Sequence, residues 1–376
     1  MKYRIFVIVI LIISASLLAG STLAYKDTYV RVAILRDSPS FDLIVSGAYQ
    51  IVDANNKILS RGNNLKTKVI MAAEGLYISS ISLKSEKVII KPKNPDSIRI
   101  NGRRFRGDVM LVGKKSGILA INFLNIEDYI KGVLYHEISH YWPIEAIKTQ
   151  AVVSRTFALY QTMMNKDKEY DLTSDIYSQV YGGRTSERWR TSIAVDKTRG
   201  EIIKYQGKIL PSFFHATCGG MTEDANNLWN MDLAPLKGVV CGYCSRSPHF
   251  NWHASLSIDA LKDTLNKSGY KINILKDILV KERNKTSRVT KLEIITDAQN
   301  LDISGKDFRN IIGPNVIRSL NFEVKIQGNN AEFQGIGWGH GVGMCQWGAY
   351  FMAKRGKKYN EIIKYYYPGV DLGYAN

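Results

Sequence analysis

The sequence predicts an α+β protein, and three observations carry that reading. Between Thr28 and Asn125 apolar residues alternate with polar ones in short runs separated by Asn, Gly, Asp and Pro, the pattern of strands. From Asn125 to Gln161 the apolar residues recur three and four apart, the period of a helix. From Ser255 onward helix-like and strand-like segments alternate. The 376 residues suffice for two or three modest domains, and 45% hydrophobic with 23% charged residues is a folded composition.

Residues 1–24 read as a signal peptide or a membrane anchor. Lys2 and Arg4 precede the apolar or small run Phe6 to Gly20, and Thr22-Leu-Ala24 suits cleavage. Uncleaved, Phe6 to Ala24 is long enough to span a bilayer. Either way the rest is expected outside the cytoplasm, in the periplasm or cell envelope or secreted. Contact with the membrane is expected only through residues 6–24, if they are retained.

Residues 25–124 form the expected β-rich module. Val30 to Leu35, Phe41 to Val45, Lys68 to Met71 and Val88 to Pro92 read as strands, and Asp108 to Val112 pairs with Gly117 to Asn122 as a hairpin. Residues 125–254 form a helical segment with a His/Cys loop. Asn125 suits an N-cap, with Glu127 and Asp128 in the first turn. Pro143 suits the first position of a second helix, with Lys148 and Arg155 off its apolar face. Glu187 to Thr198 reads as a helix, and Ile202 to Tyr205 and Leu210 to Phe214 as strands paired around Gly207. Residues 255–376 form the mixed C-terminal part. In it Gly335 to Gly343 has glycine at every second position, which in an extended chain leaves one face bare for close approach. Met344 to Arg355 and Asn360 to Tyr367 read as closing helices.

The chain has 51 Lys and Arg against 34 Asp and Glu, a formal charge of +17. For an exported protein this points to anionic wall polymers or phospholipid surfaces and not to nucleic acid. The clusters Asn101-Gly-Arg-Arg-Phe-Arg-Gly107 and Lys114-Lys115 are too short for a nucleic-acid arm.

Two chemical signals stand out. Glu137 sits at a polar, aromatic break between two helices, with Tyr135, Tyr141 and Trp142 available to desolvate it and Arg155 on the following helix. His215-x-x-Cys218 and Cys241-x-x-Cys244 have the spacing of a Cys3His structural zinc site, with a disulfide as the competing reading. Such a metal would have its positions filled, so no cofactor for chemistry is expected. Cys345 reads as a buried thiol, and Glu223 and Asp224 as helix-capping acids.

Four stretches together resemble the SpoIID/LytB family. They are Ile126-Glu-Asp-Tyr-Ile-Lys-Gly-Val133 leading to Glu137, Trp142-Pro to Ser154-Arg-Thr156, Phe214-His-Ala-Thr-Cys-Gly-Gly220, and Gly337-Trp-Gly-His-Gly-Val-Gly-Met-Cys-Gln-Trp-Gly-Ala349. The resemblance implies an exported protein of cell-wall remodelling whose sporulation relative is a lytic transglycosylase on peptidoglycan glycans stripped of stem peptides. It implies a catalytic role for Glu137 and a functional one for Arg155. A single acid then suffices, whereas a hydrolase would add Asp175, Glu223 or Asp224. Gln179, Tyr181, Trp338, His340 and Gln346 are candidate sugar contacts in a glycan-binding groove, with core packing the alternative for Tyr181 and Trp338. The expected partners are glycan strands and a wall amidase, since a non-catalytic amidase activator is the rival reading. Glu-Ile-Ser-His-Tyr-Trp-Pro, from Glu137 to Pro143, departs from the family pattern, which usually places an apolar residue and a proline after the glutamate.

Overall fold

The computed structural model describes residues 28–375, apart from 73–74, 79–80 and 84–86. The leader expected at residues 1–24 lies outside the described residues. Among the described residues, no helix is long and apolar enough to cross a membrane.

The architecture is α+β, with one large sheet and four small ones. The large sheet runs in the order Leu172–Thr173, Tyr29–Ser38, Gly117–Asn125, Asp108–Lys114, Lys87–Pro92, Ser40–Asp53, Ile58–Ala72, Gly75–Ile78 and Ile81–Leu83. The expected hairpin is present, paired from Gly117 with Lys114 to Phe123 with Asp108. The strands expected at Phe41 to Val45 and Lys68 to Met71 are much longer, Ser40–Asp53 and Ile58–Ala72. The outer half of Ile58–Ala72 is largely exposed and polar, so hydrogen bonding to Ser40–Asp53, which itself pairs with Lys87–Pro92 and buries Ile51 and Val52, extends it beyond any apolar alternation. Asp53 closes the hairpin by accepting from the backbone N–H groups of Asn55 and Lys57 at 2.8 and 2.9 Å.

The described residues hold eight helices: α1 (Ile126–Glu137), α2 (Ile144–Met164), α3 (Trp189–Lys197), α4 (Ala225–Trp229), α5 (Ile258–Lys267), α6 (Gly305–Ile312), α7 (Gln346–Lys354) and α8 (Tyr359–Tyr366). Asn125 caps α1, its side chain accepting from Glu127 N–H at 2.9 Å. Pro143 is the N-cap of α2 and not its first helical residue.

Three large apolar cores follow, beside a small cluster of Ala33, Leu119 and Ile121 on the sheet. In the first, Tyr129, Ile130 and Val133 of α1 and Ile147, Ala151 and Leu159 of α2 join the inner face of the large sheet. In the second, Val152 and Val153 of α2 meet α7 and α8. The third packs Leu261, Leu265 and Phe308 of α5 and α6 against Ile278, Leu292 and Phe333 of two small sheets. Helix α2 therefore has core on two sides.

That explains a correction. Arg155 is not on a solvent-facing side of α2 but fully buried. Its Nε and Nη2 donate to the two carboxylate oxygens of Glu127 at 2.8 and 2.7 Å, and its Nη1 donates to the Glu201 carbonyl at 3.0 Å. Glu127 also accepts from Gly200 N–H at 3.0 Å. A bidentate pair with its remaining valences filled is the arrangement in which burying two charges is tolerated.

Two further segments differ from expectation. Of the segment after Gly207, only Lys208–Ile209 pairs with Glu201–Tyr205, because Pro211 lacks a donor for the ladder, and the other edge of Glu201–Tyr205 pairs with Asp371–Tyr374. Phe214–His215 instead pairs in parallel with Met344–Cys345, which precedes α7. The alternating-glycine run is extended only to Ile336. Gly337, Gly339, Gly341 and Gly343 take φ of 85, 116, 89 and 71°, a conformation that side chains resist. The bare positions allow close approach all the same. A Cβ on Gly343 would collide with the Phe213 carbonyl, while Trp338 N–H donates to Thr217 at 2.8 Å and Thr217 N–H to Trp338 at 3.0 Å.

Glu127→Gln or Arg155→Met leaves one buried charge without its partner and is expected to cost about 3–5 kcal/mol in urea unfolding at pH 7. The double variant Glu127→Leu/Arg155→Met is expected to lose less than either single one.

Candidate functional site

A cavity of about 660 Å³ opens where the three cores converge. Glu137, the last residue of α1, forms one wall, beside Ser178 and Val180. Phe213 to Ala216, Trp338 to His340 and Gln346, the first residue of α7, form the second. Arg309 and Asn310 of α6, with Asn315, form the third, and Trp229 ends α4 at the edge.

Glu137 is half-buried: it opens onto the cavity and is shielded from bulk solvent. Burial pushes its pKa up to about 7, against the opposing hydrogen bonds from the Gln346 side chain and the Val180 backbone. Its place at the C-terminal end of a helix, where carbonyl dipoles repel an anion, favours the same protonated form. The residues that desolvate it are not those expected. Tyr141 is 80% exposed, and Trp142 packs on Trp347 and Tyr350, with ring centroids 5.0 Å from each. Phe157, Val180, Phe213 and Phe214 line the cavity instead.

The chain on both sides of Glu137 is held by side chains from other elements. His136 Nε2 lies 2.6 Å from Ser186 Oγ, and Arg190 donates to the carbonyls of His140 and Trp142 at 2.9 and 3.0 Å. The unusual sequence there is anchored by the 183–186 turn and α3.

Among the described residues, Glu137 is the one carboxylate on the cavity wall. Asp175 pairs with Arg36 at 2.5 Å. Glu223 is fully buried 3.6 Å from Arg288 and accepts from Asn227, Asn284 and Thr286. Asp224 caps α4 by accepting from Asn226 N–H at 2.8 Å.

Of the expected sugar contacts, Trp338, His340 and Gln346 reach the cavity and Gln179 and Tyr181 do not. Alternation decides this: Ser178 and Val180 face the cavity while their neighbours turn inward. The Tyr181 hydroxyl donates to Asn122 at 2.9 Å within the first core, and the Gln179 side-chain carbonyl accepts from the Tyr129 hydroxyl at 3.2 Å. Arg155 is committed to Glu127, away from the cavity. His340 Nδ1 accepts from Val342 N–H at 3.1 Å, which fixes the ring against the chain. Burial lowers its pKa to about 4, so it is neutral. Gln346 donates to the Glu137 carbonyl and to Gln150, each at 3.3 Å.

His215, expected as a metal ligand, belongs to the cavity. Its Nδ1 donates to the Val342 carbonyl at 3.1 Å, which leaves Nε2 as a bare acceptor that no buried group satisfies. The sulfur set is completed differently: Cys218, Cys241, Cys244 and Cys345 converge, with all four sulfurs within 4.8 Å of one another. The parallel pairing of Phe214–His215 with Met344–Cys345 brings Cys345 there, a proximity no local spacing signals.

Sequence reasoning missed Trp229, Arg309, Asn310 and Asn315. Trp229 stacks 4.4 Å from Phe213, across a loop of the chain. Arg309 and Asn310 come from a stretch that reads only as an amphipathic helix. Arg309 is pinned by the carbonyls of Ile317 and Arg318 at 2.9 and 3.2 Å, and burial lowers its pKa to about 10, so it remains charged at neutral pH.

Residues 114–205 match the family described as stage II sporulation protein, and residues 238–343 match a domain of unknown function, DUF8618. An uncharacterized protein of Brachyspira hyodysenteriae is 35% identical over 350 residues, 92% of this chain and 93% of that protein. Stage II sporulation protein D of Bacillus amyloliquefaciens is 29% identical over 273 residues, 68% of this chain and 76% of that protein. The amidase enhancer of Bacillus subtilis is 26% identical over 428 residues, 95% of this chain and 59% of that protein.

The raised pKa of Glu137 has a consequence for stability. The folded state holds a proton between the ordinary value of 4.5 and about 7 that the unfolded state releases, so stability falls as pH rises through that window. The loss above it is roughly 3 kcal/mol. Glu137→Gln removes this term, so the variant is expected to melt above the wild type at alkaline pH and with it below the unfolded value of 4.5, where both states of the wild type hold the proton.

Proposed function

The chain belongs to the SpoIID/LytB family, and on that premise we propose that it cleaves peptidoglycan glycan strands by a lytic transglycosylase mechanism. The observation that carries this reading is Glu137: a desolvated carboxyl held near pKa 7, with no second carboxylate on the cavity wall among the described residues. Hydrolysis through two carboxylates needs a partner for it.

The reaction runs with one acid. Protonated Glu137 gives its proton to the glycosidic oxygen between N-acetylmuramic acid and N-acetylglucosamine as the C1–O bond breaks. The muramic C1 becomes oxocarbenium-like. The Glu137 carboxylate then takes the proton of the same sugar's C6 hydroxyl as that oxygen bonds to C1. The product carries a 1,6-anhydro ring, Glu137 is protonated again, and water is not consumed. A pKa near the working pH suits both half-steps.

The other wall residues take supporting roles in this reading. Trp338, Trp229 and the 84% exposed Tyr177 offer aromatic faces to sugar rings. His215 Nε2 accepts a sugar hydroxyl, and the Gln346 amide holds Glu137. Arg309 suits the lactyl carboxylate that each muramic residue exposes once its stem peptide is gone, which favours stem-peptide-free strands. Gln179, Tyr181 and His340 act by supporting the wall, and Arg155 by holding α1. The protein works outside the cytoplasm, exported by its leader.

A second reading rests on the relative named amidase enhancer, which aligns with 95% of this chain. In that reading the cavity binds glycan without cutting it, and the bound protein activates a wall amidase.

One assay separates the two readings. Purified protein incubated with stem-peptide-free glycan strands is expected to release products ending in anhydro-muramyl residues, with activity falling as pH rises above about 7. Glu137→Gln is expected to lose this at least a hundredfold, the usual scale of a general acid (about 10²–10⁴). Products one water heavier contradict the mechanism, and binding without cleavage favours the second reading.

A further inference from the structure

We propose that Cys218, Cys241, Cys244 and Cys345 bind a single zinc ion, as a clamp behind the cavity wall. Their sulfurs lie within 4.8 Å of one another, and all four residues are buried. A tetrahedron with Zn–S bonds of about 2.3 Å has edges of about 3.8 Å. The sulfurs of Cys218 and Cys244 are 3.4 Å apart, far beyond the ~2.05 Å of a disulfide. This spacing suits one ion.

The surroundings fit thiolates independently of the cluster's shape. Cys345 Sγ receives the backbone N–H groups of Cys218 and Gly348, each at 3.3 Å, and the Tyr366 hydroxyl lies 3.1 Å from Cys241 Sγ. Such outer hydrogen bonds orient and stabilise metal-bound sulfur. Arg288, buried beside the cluster, donates to the carbonyls of Cys218 and Met221 at 2.9 and 3.1 Å, and its Nε has no hydrogen-bond partner. Glu223 shares its charge at 3.6 Å. On binding a divalent ion four thiols release four protons to solvent and leave the centre at −2, and a neighbouring guanidinium offsets part of that charge.

With four protein ligands the ion has no open position, so its role is structural. It ties the Cys241-x-x-Cys244 turn to Cys345, at the end of one of the two paired segments, and to Cys218, three residues beyond the other. His215 precedes Cys218 by three residues and Gln346 follows Cys345 directly, so the clamp sets two side chains of the cavity wall. This inference does not rest on what the cavity cleaves.

The test is metal analysis of the full chain, purified without chelator. One zinc per chain by native and elemental mass spectrometry is expected, with the thiols unreactive until the ion is removed. Cobalt put in place of zinc is expected to give the visible spectrum of four thiolates. His215→Ala is expected to keep the full equivalent of zinc, and Cys345→Ser to weaken zinc binding at least tenfold. A three-thiolate, one-imidazole cobalt spectrum, or zinc lost in His215→Ala and kept in Cys345→Ser, overturns the ligand set. Wild-type protein that takes up no zinc, with its cysteines joined as disulfides by intact mass, overturns the site altogether. The cobalt and wild-type measurements hold even if Cys345→Ser fails to fold.

Discussion

The buried pair between Arg155 and Glu127 fixes the one relation on which the site depends, the placement of α1 against α2. Two hydrogen bonds of 2.8 and 2.7 Å join the start of α1 to the middle of α2, with Gly200 and Glu201 closing the remaining valences. Two charges of this kind gain little net stability over apolar residues of the same size. What they supply is geometry, because a planar guanidinium meets a carboxylate in one register. Glu137 lies ten residues beyond Glu127 on the same helix, roughly 15 Å along its axis. A slip of α1 would carry Glu137 out of the cavity.

Around Glu137 the decisive feature is scarcity of charge. Asp175, Glu223 and Asp224 are each engaged elsewhere, by Arg36, by Arg288 with its amide and hydroxyl neighbours, and by the N-terminus of α4. Arg155, which would have lowered the pKa of Glu137, is held away from it. The aromatic and apolar wall, the helix C-terminus and the neutral histidines His215 and His340 all leave a proton on the carboxyl. The same wall is bounded by the cysteine cluster at its back and by Arg309 at its front. The polar groups of the cavity thus come from three separately packed cores.

How much of this was legible in the sequence varies with the range of the interaction. The Asn125 cap, the helix carrying Glu137 and the hairpin from Asp108 are written in local patterns and appear as expected. Arg155 was misplaced because a helix with core on two sides buries a residue that a one-sided stripe would expose. Gln179 and Tyr181 turn inward by the alternation of an extended segment, which composition does not reveal, and for Tyr181 this is the core-packing alternative. Cys345, and not His215, joins the other three cysteines, because a parallel pairing of residues more than a hundred apart brings its sulfur to them. The alternating glycines did announce a close backbone approach, but through left-handed turns and not an extended strand. Arg309 carries no signal until the third core is folded.

The central claim is that the folded protein keeps Glu137 protonated close to neutral pH. Its most direct test is carbon-13 NMR of glutamate side-chain carboxyls through a pH titration, with the Glu137 resonance identified by its absence in Glu137→Gln. The account predicts a midpoint of about 7. A midpoint at the ordinary value of 4.5 would contradict it.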